Sequence, residues 1–119
     1  MPIHVSPGPI MSQAVVHNGV AHLAGQVAMD NQSGDFATQT KEVFARIDKI
    51  LADLRSDRTQ MLSATIYLTD LADFPEMNKL WAEWLDGATP PARATVNAAL
   101  VLPGLKIEIV VVAEVPEAG

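Results

Sequence analysis

The spacing of apolar positions changes repeatedly along this chain, and each change marks a new element. Between Ala14 and Gly25, the stretch AVVHNGVAHLAG sets β-favouring residues on both sides of Asn18-Gly19. That dipeptide suits a type I′ turn, whose two central residues need positive φ, so a hairpin is predicted. DNQSGD then reads as a loop. From Asp35 to about Leu54, residues Val43, Phe44, Ile47, Ile50, Leu51 and Leu54 recur at three- and four-residue steps, the stripe of one amphipathic helix. In MLSATIYLTD, Leu62, Ala64, Ile66 and Leu68 alternate with Ser63, Thr65, Tyr67 and Thr69, which predicts a strand with one oily and one hydroxyl-rich face. A second helix follows, with Asp73 as its cap and Glu76 completing a capping box. Its stripe is Phe74, Met77, Leu80, Trp81, Trp84 and Leu85, and Gly87 stops it. Two strands, about Arg93 to Leu100 and Leu105 to Val115, flank Pro103-Gly104 and read as a second hairpin.

The resulting order is β-β-α-β-α-β-β, with a further short strand near Ile3. It predicts an α+β sheet with both helices on one face. Parity then assigns faces. In the last strand, Leu105, Ile107, Ile109, Val111 and Ala113 suit the helix side, leaving Glu108, Val110 and Val112 on the other. In the strand before it, Ala94, Val96, Ala98 and Leu100 are the apolar set, which predicts that Arg93 and Thr95 share the second face with Glu108. No further element is left to cover that mixed face, so it predicts an oligomer whose sheets meet, closed into a ring.

Composition narrows the picture. A length of 119 residues fits one domain, 1–119. No segment nears the roughly 18 consecutive apolar residues of a membrane span. The opening MPIHVSPGPI has no basic start followed by an apolar run, so neither a signal peptide nor a membrane is expected and the location is read as cytoplasmic. With no cysteine there is no disulfide or thiolate chemistry. The net charge of −6, with scattered basic residues, argues against nucleic acid as a partner. The histidines are His4, His17 and His22. His17 and His22 are not directly opposed across the hairpin and have no carboxylate at ligand spacing, so no metal and no cofactor is expected.

Three segments resemble the reactive intermediate deaminase family, the RidA/YjgF type of imine and enamine deaminases. SQAVVHNGVAHLAGQV is similar to its early hairpin ending in a Gly-Gln pair. SATIYLTDLADFPEMNKLWAEW is similar to its central strand and second helix. PPARATV with LPGLKIEI resembles its C-terminal signature. The resemblance spans nearly the whole chain and implies a homotrimer folded like the small chorismate mutases, with clefts between subunits. It implies that Arg93 binds the carboxylate of a 2-imino acid, that Glu108, fifteen residues later, positions water, and that the backbone at Gly25 lines the cleft. Members commonly carry tyrosine where Met11 stands, serine where Ala24 stands and cysteine where Thr95 stands. Met11, Ala24 and Thr95 are therefore expected to be substrate-binding positions with altered specificity.

The chemistry fits these residue types. A guanidinium is planar and always charged, and it binds a carboxylate through two parallel hydrogen bonds. Glu108 would orient a water at the imine carbon, giving a 2-oxo acid and ammonia without a covalent nucleophile. The alternative is a non-catalytic trimer that holds a 2-oxo acid or a related small carboxylate as a signal. RNA cleavage, a second rival through the family, sits poorly with the acidic charge.

Overall fold

The computed structural model describes residues 1–116. Its strands are β1 (Ile3–Val5), β2 (Ala14–His17), β3 (Val20–Leu23), β4 (Met61–Leu68), β5 (Ala92–Asn97) and β6 (Ile107–Glu114); its helices are α1 (Phe36–Asp53) and α2 (Phe74–Leu85). The strands form one six-stranded sheet in the order β1-β2-β3-β6-β4-β5. The hairpin β2–β3 turns at Asn18 and Gly19, both with positive φ (52° and 76°), as the Asn-Gly pair requires.

The expected second hairpin does not form. β6 runs antiparallel between β3 and β4, while β5 lies outside β4 and parallel to it. The reason lies in the strands themselves. β6 alternates fully buried Ile107, Ile109, Val111 and Ala113 with half-buried residues, so it belongs where neighbours flank both sides. β5 offers mostly small side chains and stays largely exposed, which suits an edge. The segment between them passes the end of β4, where the Thr69 amide meets the Lys106 carbonyl at 3.2 Å.

Both helices pack on one sheet face. The core joins Val43, Phe44, Ile47 and Leu51 of α1, Met77, Trp81 and Trp84 of α2, and the inward residues Ala64, Ile66, Leu68, Ile107, Ile109 and Val111. Phe44 stacks on Trp84 with ring centres 4.3 Å apart. Asp35 caps α1, its carboxylate accepting from the Thr38 amide at 2.8 Å. The capping box expected at Asp73 is absent. A 3₁₀ turn, Leu71–Asp73, runs straight into α2, so Asp73 has helical φ/ψ and its side chain caps nothing; Asp70 caps the turn instead.

Candidate functional site

The neighbourhood of Glu108 is set by backbone. Glu108 pairs with Tyr67 of β4 on the face away from the helices, the face that also holds Val110, Val112 and Thr65. On the other flank of β6, Gln26 and Ile109 exchange both backbone bonds, at 2.9 and 3.1 Å. This brings Gly25 beneath the Glu108 side chain. A Cβ at Gly25 would lie 2.9 Å from the Glu108 carboxyl carbon and closer still to Oε2. Only a glycine lets the carboxylate rest there. The buried Gln26 side chain fastens this segment, donating to Gln13 Oε1 at 2.8 Å and to the Ala24 carbonyl at 3.0 Å. The Ala24 amide in turn donates to the Gln13 carbonyl at 2.9 Å. Ala24, Gly25 and Glu108 thus form one cluster. Met11 lies two residues before Gln13 on the adjoining loop, exposed, its carbonyl accepting from the Gly8 amide.

Arg93 is elsewhere. The parallel register pairs Arg93 with Ala64 and Thr95 with Ile66, and both partners belong to the buried helix face. Paired residues point to the same side of a sheet. Arg93 and Thr95 therefore lie on the helix side, and Glu108 on the opposite face with β4 between their strands. The expected common face is overturned, because β5 sits parallel at the edge with its small residues Ala92, Ala94 and Val96 turned to the open side. From that edge the Arg93 guanidinium reaches α2. Nη2 donates to Asn78 Oδ1 at 2.8 Å, and the cation lies 5.9 Å from the Phe74 ring centre and 5.6 Å from that of Trp81. Thr95 Oγ1 is buried and has no hydrogen-bond partner among the described residues.

Phe74, Asn78 and Trp81 escaped the sequence reading as site residues. Their signal was present: they stand four and three positions apart on α2 and so share one helix face. Near that end of α2, burial, with the charge of Asp70 second, pushes the Asp73 carboxyl above its ordinary range, while Lys106 opposes the shift. Among the described residues no group of three or more His, Cys, Asp or Glu is placed to hold a metal. No helix among them is long and apolar enough to cross a membrane.

Comparison with known proteins identifies the family and the fold. The family model described as Endoribonuclease L-PSP matches residues 6–115. A RutC family protein of Haemophilus influenzae is 41% identical over 109 residues, covering 92% of this chain and 94% of its own. The RutC family protein YoaB of Escherichia coli is 38% identical over 104 residues, covering 87% and 90%. Among solved structures, a YjgF family protein of Neisseria meningitidis superposes with a TM-score of 0.87 at 36% identity, covering 99% of this chain and 98% of its own. The glycine-seated glutamate and the helix-braced arginine therefore stand in a chain that belongs to the RidA/YjgF family, the group that the Endoribonuclease L-PSP model describes.

Proposed function

We propose that this protein hydrolyses reactive 2-imino acids and their enamine tautomers to 2-oxo acids and ammonia, in a cleft that two copies of the chain complete. One observation carries the reading. The two groups that suit the chemistry, a carboxylate free of donors among the described residues and a guanidinium braced on one side only, lie on opposite faces of one sheet. A single copy cannot place both on one small substrate. A ring of copies joined through the open face, with its half-buried Val110 and Val112, sets the Glu108 of one copy against the Arg93 edge of the next. The family's trimeric habit supports that assembly.

In this reading Arg93 grips the substrate carboxylate by two parallel hydrogen bonds and fixes the imine carbon. Glu108 orients a water and takes one of its protons as the oxygen bonds to that carbon. Glu108 passes that proton to the nitrogen, the hydroxyl of the resulting carbinolamine gives up the second, the C–N bond breaks, and ammonia departs as the carbonyl forms. Positioning supplies most of the acceleration, since no covalent intermediate is needed. Arg93 and Glu108 are the catalytic pair; Gly25, Ala24, Thr95 and Met11 line the cleft.

The test generates a 2-imino acid in situ with an amino-acid oxidase and follows release of the 2-oxo acid. Wild type is expected to speed release, as a species near three times the 12.7 kDa protomer mass. Arg93→Ala and Glu108→Ala, each impaired alone, are expected to regain about a quarter of wild-type sites when unfolded and refolded together in equal amounts, since a ring with shared sites then holds some intact pairs. Tight binding of 2-oxo acids without turnover would make the protein a ligand-holding trimer instead. No recovery in mixed assemblies would place both groups in a site within one copy.

A further inference from the structure

One buried amide in α1 is not used by the chemistry above, yet it bonds to the segment that leads into β6. Gln39 is fully buried. Its Nε2 shares two N–H bonds among three carbonyls, those of Gly104 at 2.8 Å, Gly34 at 3.1 Å and Gln32 at 3.3 Å. Its Oε1 accepts from the Lys106 amide at 2.8 Å. Two of its four partners, Gly104 and Lys106, belong to the segment that leads from β5 into β6. The other two carbonyls belong to the loop that precedes α1.

Two further contacts fasten the same segment. Gln32 Nε2 donates to the Pro103 carbonyl at 2.6 Å. Gly104 has a φ of +85° and sits so close to the Gln32 carbonyl that no Cβ would fit between them. The chain from Pro103 to Lys106 is therefore held against α1 and its preceding loop on both sides. Glu108 follows two residues later. Nothing among the described residues donates to its carboxylate, so its placement over Gly25 depends on backbone position alone.

We propose that Gln39 is a positioning residue for Glu108: by fixing the Gly104–Lys106 backbone it sets where β6 starts and so where the carboxylate lies over Gly25. The inference rests on the reading of Glu108 as the group that orients water. An apolar residue of similar size at position 39 would fill the volume but take a hydrogen-bond partner from three carbonyls and one amide, all in partly buried or exposed residues. The segment would then shift to find partners, and Glu108 would shift with it. Arg93, on β5 and braced by α2, would not. A displacement of about 1 Å at a reacting group costs up to about a hundredfold in rate.

The experiment compares Gln39→Leu, Gln32→Ala and wild type as assembled protein, with in situ generated 2-imino acid. Gln39→Leu is expected to lower kcat about tenfold to a hundredfold while KM stays within about threefold, because the carboxylate clamp is untouched. Gln32→Ala, which loosens the same segment from its more exposed side without disturbing the core, is expected to lower kcat in the same sense by a smaller factor. A raised KM with unchanged kcat, or no change in either, overturns the proposal. If Gln39→Leu does not fold, Gln32→Ala decides in the same way. If wild type binds 2-oxo acid without turning over imine, the deaminase reading fails by itself. The role of Gln39 is then read from the carboxyl carbon resonance of Glu108 in isotopically labelled protein: a shift in the folded variant supports it, and an unmoved resonance overturns it.

Discussion

Glu108 sits on an inner strand with partners on both flanks, whereas Arg93 sits on an edge strand of the same sheet. The first is located by main-chain bonds, a glycine and buried glutamine amides. The second is located by one exposed side-chain hydrogen bond and two aromatic faces. On the proposed function, the difference teaches how a shared site would divide labour. A water-orienting group would have to be exact before substrate arrives, which a backbone-built position provides. A carboxylate clamp would gain its final geometry from the charge it binds, so a brace on one side would be enough.

The largest effect is expected at Arg93. Hydrogen bonds to charged groups contribute about 1.5–3 kcal/mol each, so losing a two-pronged clamp lowers kcat/KM on the order of a hundredfold or more. Arg93→Ala should abolish most activity, and Arg93→Lys should recover little, because an ammonium keeps the charge without the fork. Assembly mass, read by light scattering, should not change. Near wild-type hydrolysis by Arg93→Ala in the assembled protein would reduce the arginine to a brace for α2.

Gly25→Ala attacks the other half. The added methyl has to displace the Glu108 side chain, a flexible group, and no backbone atom is among its nearest contacts. The fold should survive, with a melting temperature close to wild type. The expected loss is in kcat, about tenfold to a hundredfold, with KM little changed. Rescue of kcat by Glu108→Asp in the Gly25→Ala background would sharpen the point, since the shorter acid restores room. A large drop in melting temperature would mean that the methyl finds a harder neighbour than Glu108.

The contrast also explains what the sequence made legible. The elements and the buried face of β6 were readable, because Ile107, Ile109 and Val111 cannot sit anywhere but the core. Glu108 followed from their parity. Arg93 did not, because parity groups residues without saying which group faces in. With Ala92, Ala94 and Val96 as its apolar set, β5 lacks the bulk to demand burial, and its face follows its register with β4 and the reach of Arg93 to α2. The assumption that strands either side of a Pro-Gly loop must pair supplied the wrong answer; chain neighbours become sheet neighbours only when no better partner is available. Gln39 and Thr40 left a weaker trace. They occupy stripe positions of α1 one turn before Val43 and Phe44, and a polar residue where the stripe asks for an apolar one is a sign of a buried hydrogen-bonding task, which Gln39 performs while the Thr40 hydroxyl has no partner among the described residues.

Asn78→Ala tests the exposed brace with a smaller expected effect. Arg93 keeps its charge and its aromatic neighbours but loses its one fixed hydrogen bond. Substrate affinity should weaken about threefold to tenfold, appearing in KM more than in kcat. Asn78→Asp should go further than alanine in the same direction, since a carboxylate competes with the substrate for the guanidinium. A fall in kcat with unchanged KM would show that Asn78 touches the reacting atoms instead.

The smallest effect on activity is expected at Glu42, on the outer side of the loop that Gln39 holds from within. Burial alone would raise its carboxyl, but hydrogen bonds from Asn31 Nδ2, Arg46 Nε and the Asp30 amide outweigh it and hold the group below its ordinary value of 4.5. The sign follows from linkage. A carboxylate lowered in the folded state stabilises the protein above its unfolded value, and that contribution fades as pH falls through the folded one. Glu42→Gln should therefore cost on the order of 1 kcal/mol near neutral pH, and the gap to wild type should close below about pH 4.5. Denaturant melts at a series of pH values measure it. At pH 7 kcat should be unchanged, because Gln39 and Gln32, not Glu42, reach the segment that carries Glu108. A matching fall in kcat would show that the whole loop, and not its inner knot, positions the carboxylate.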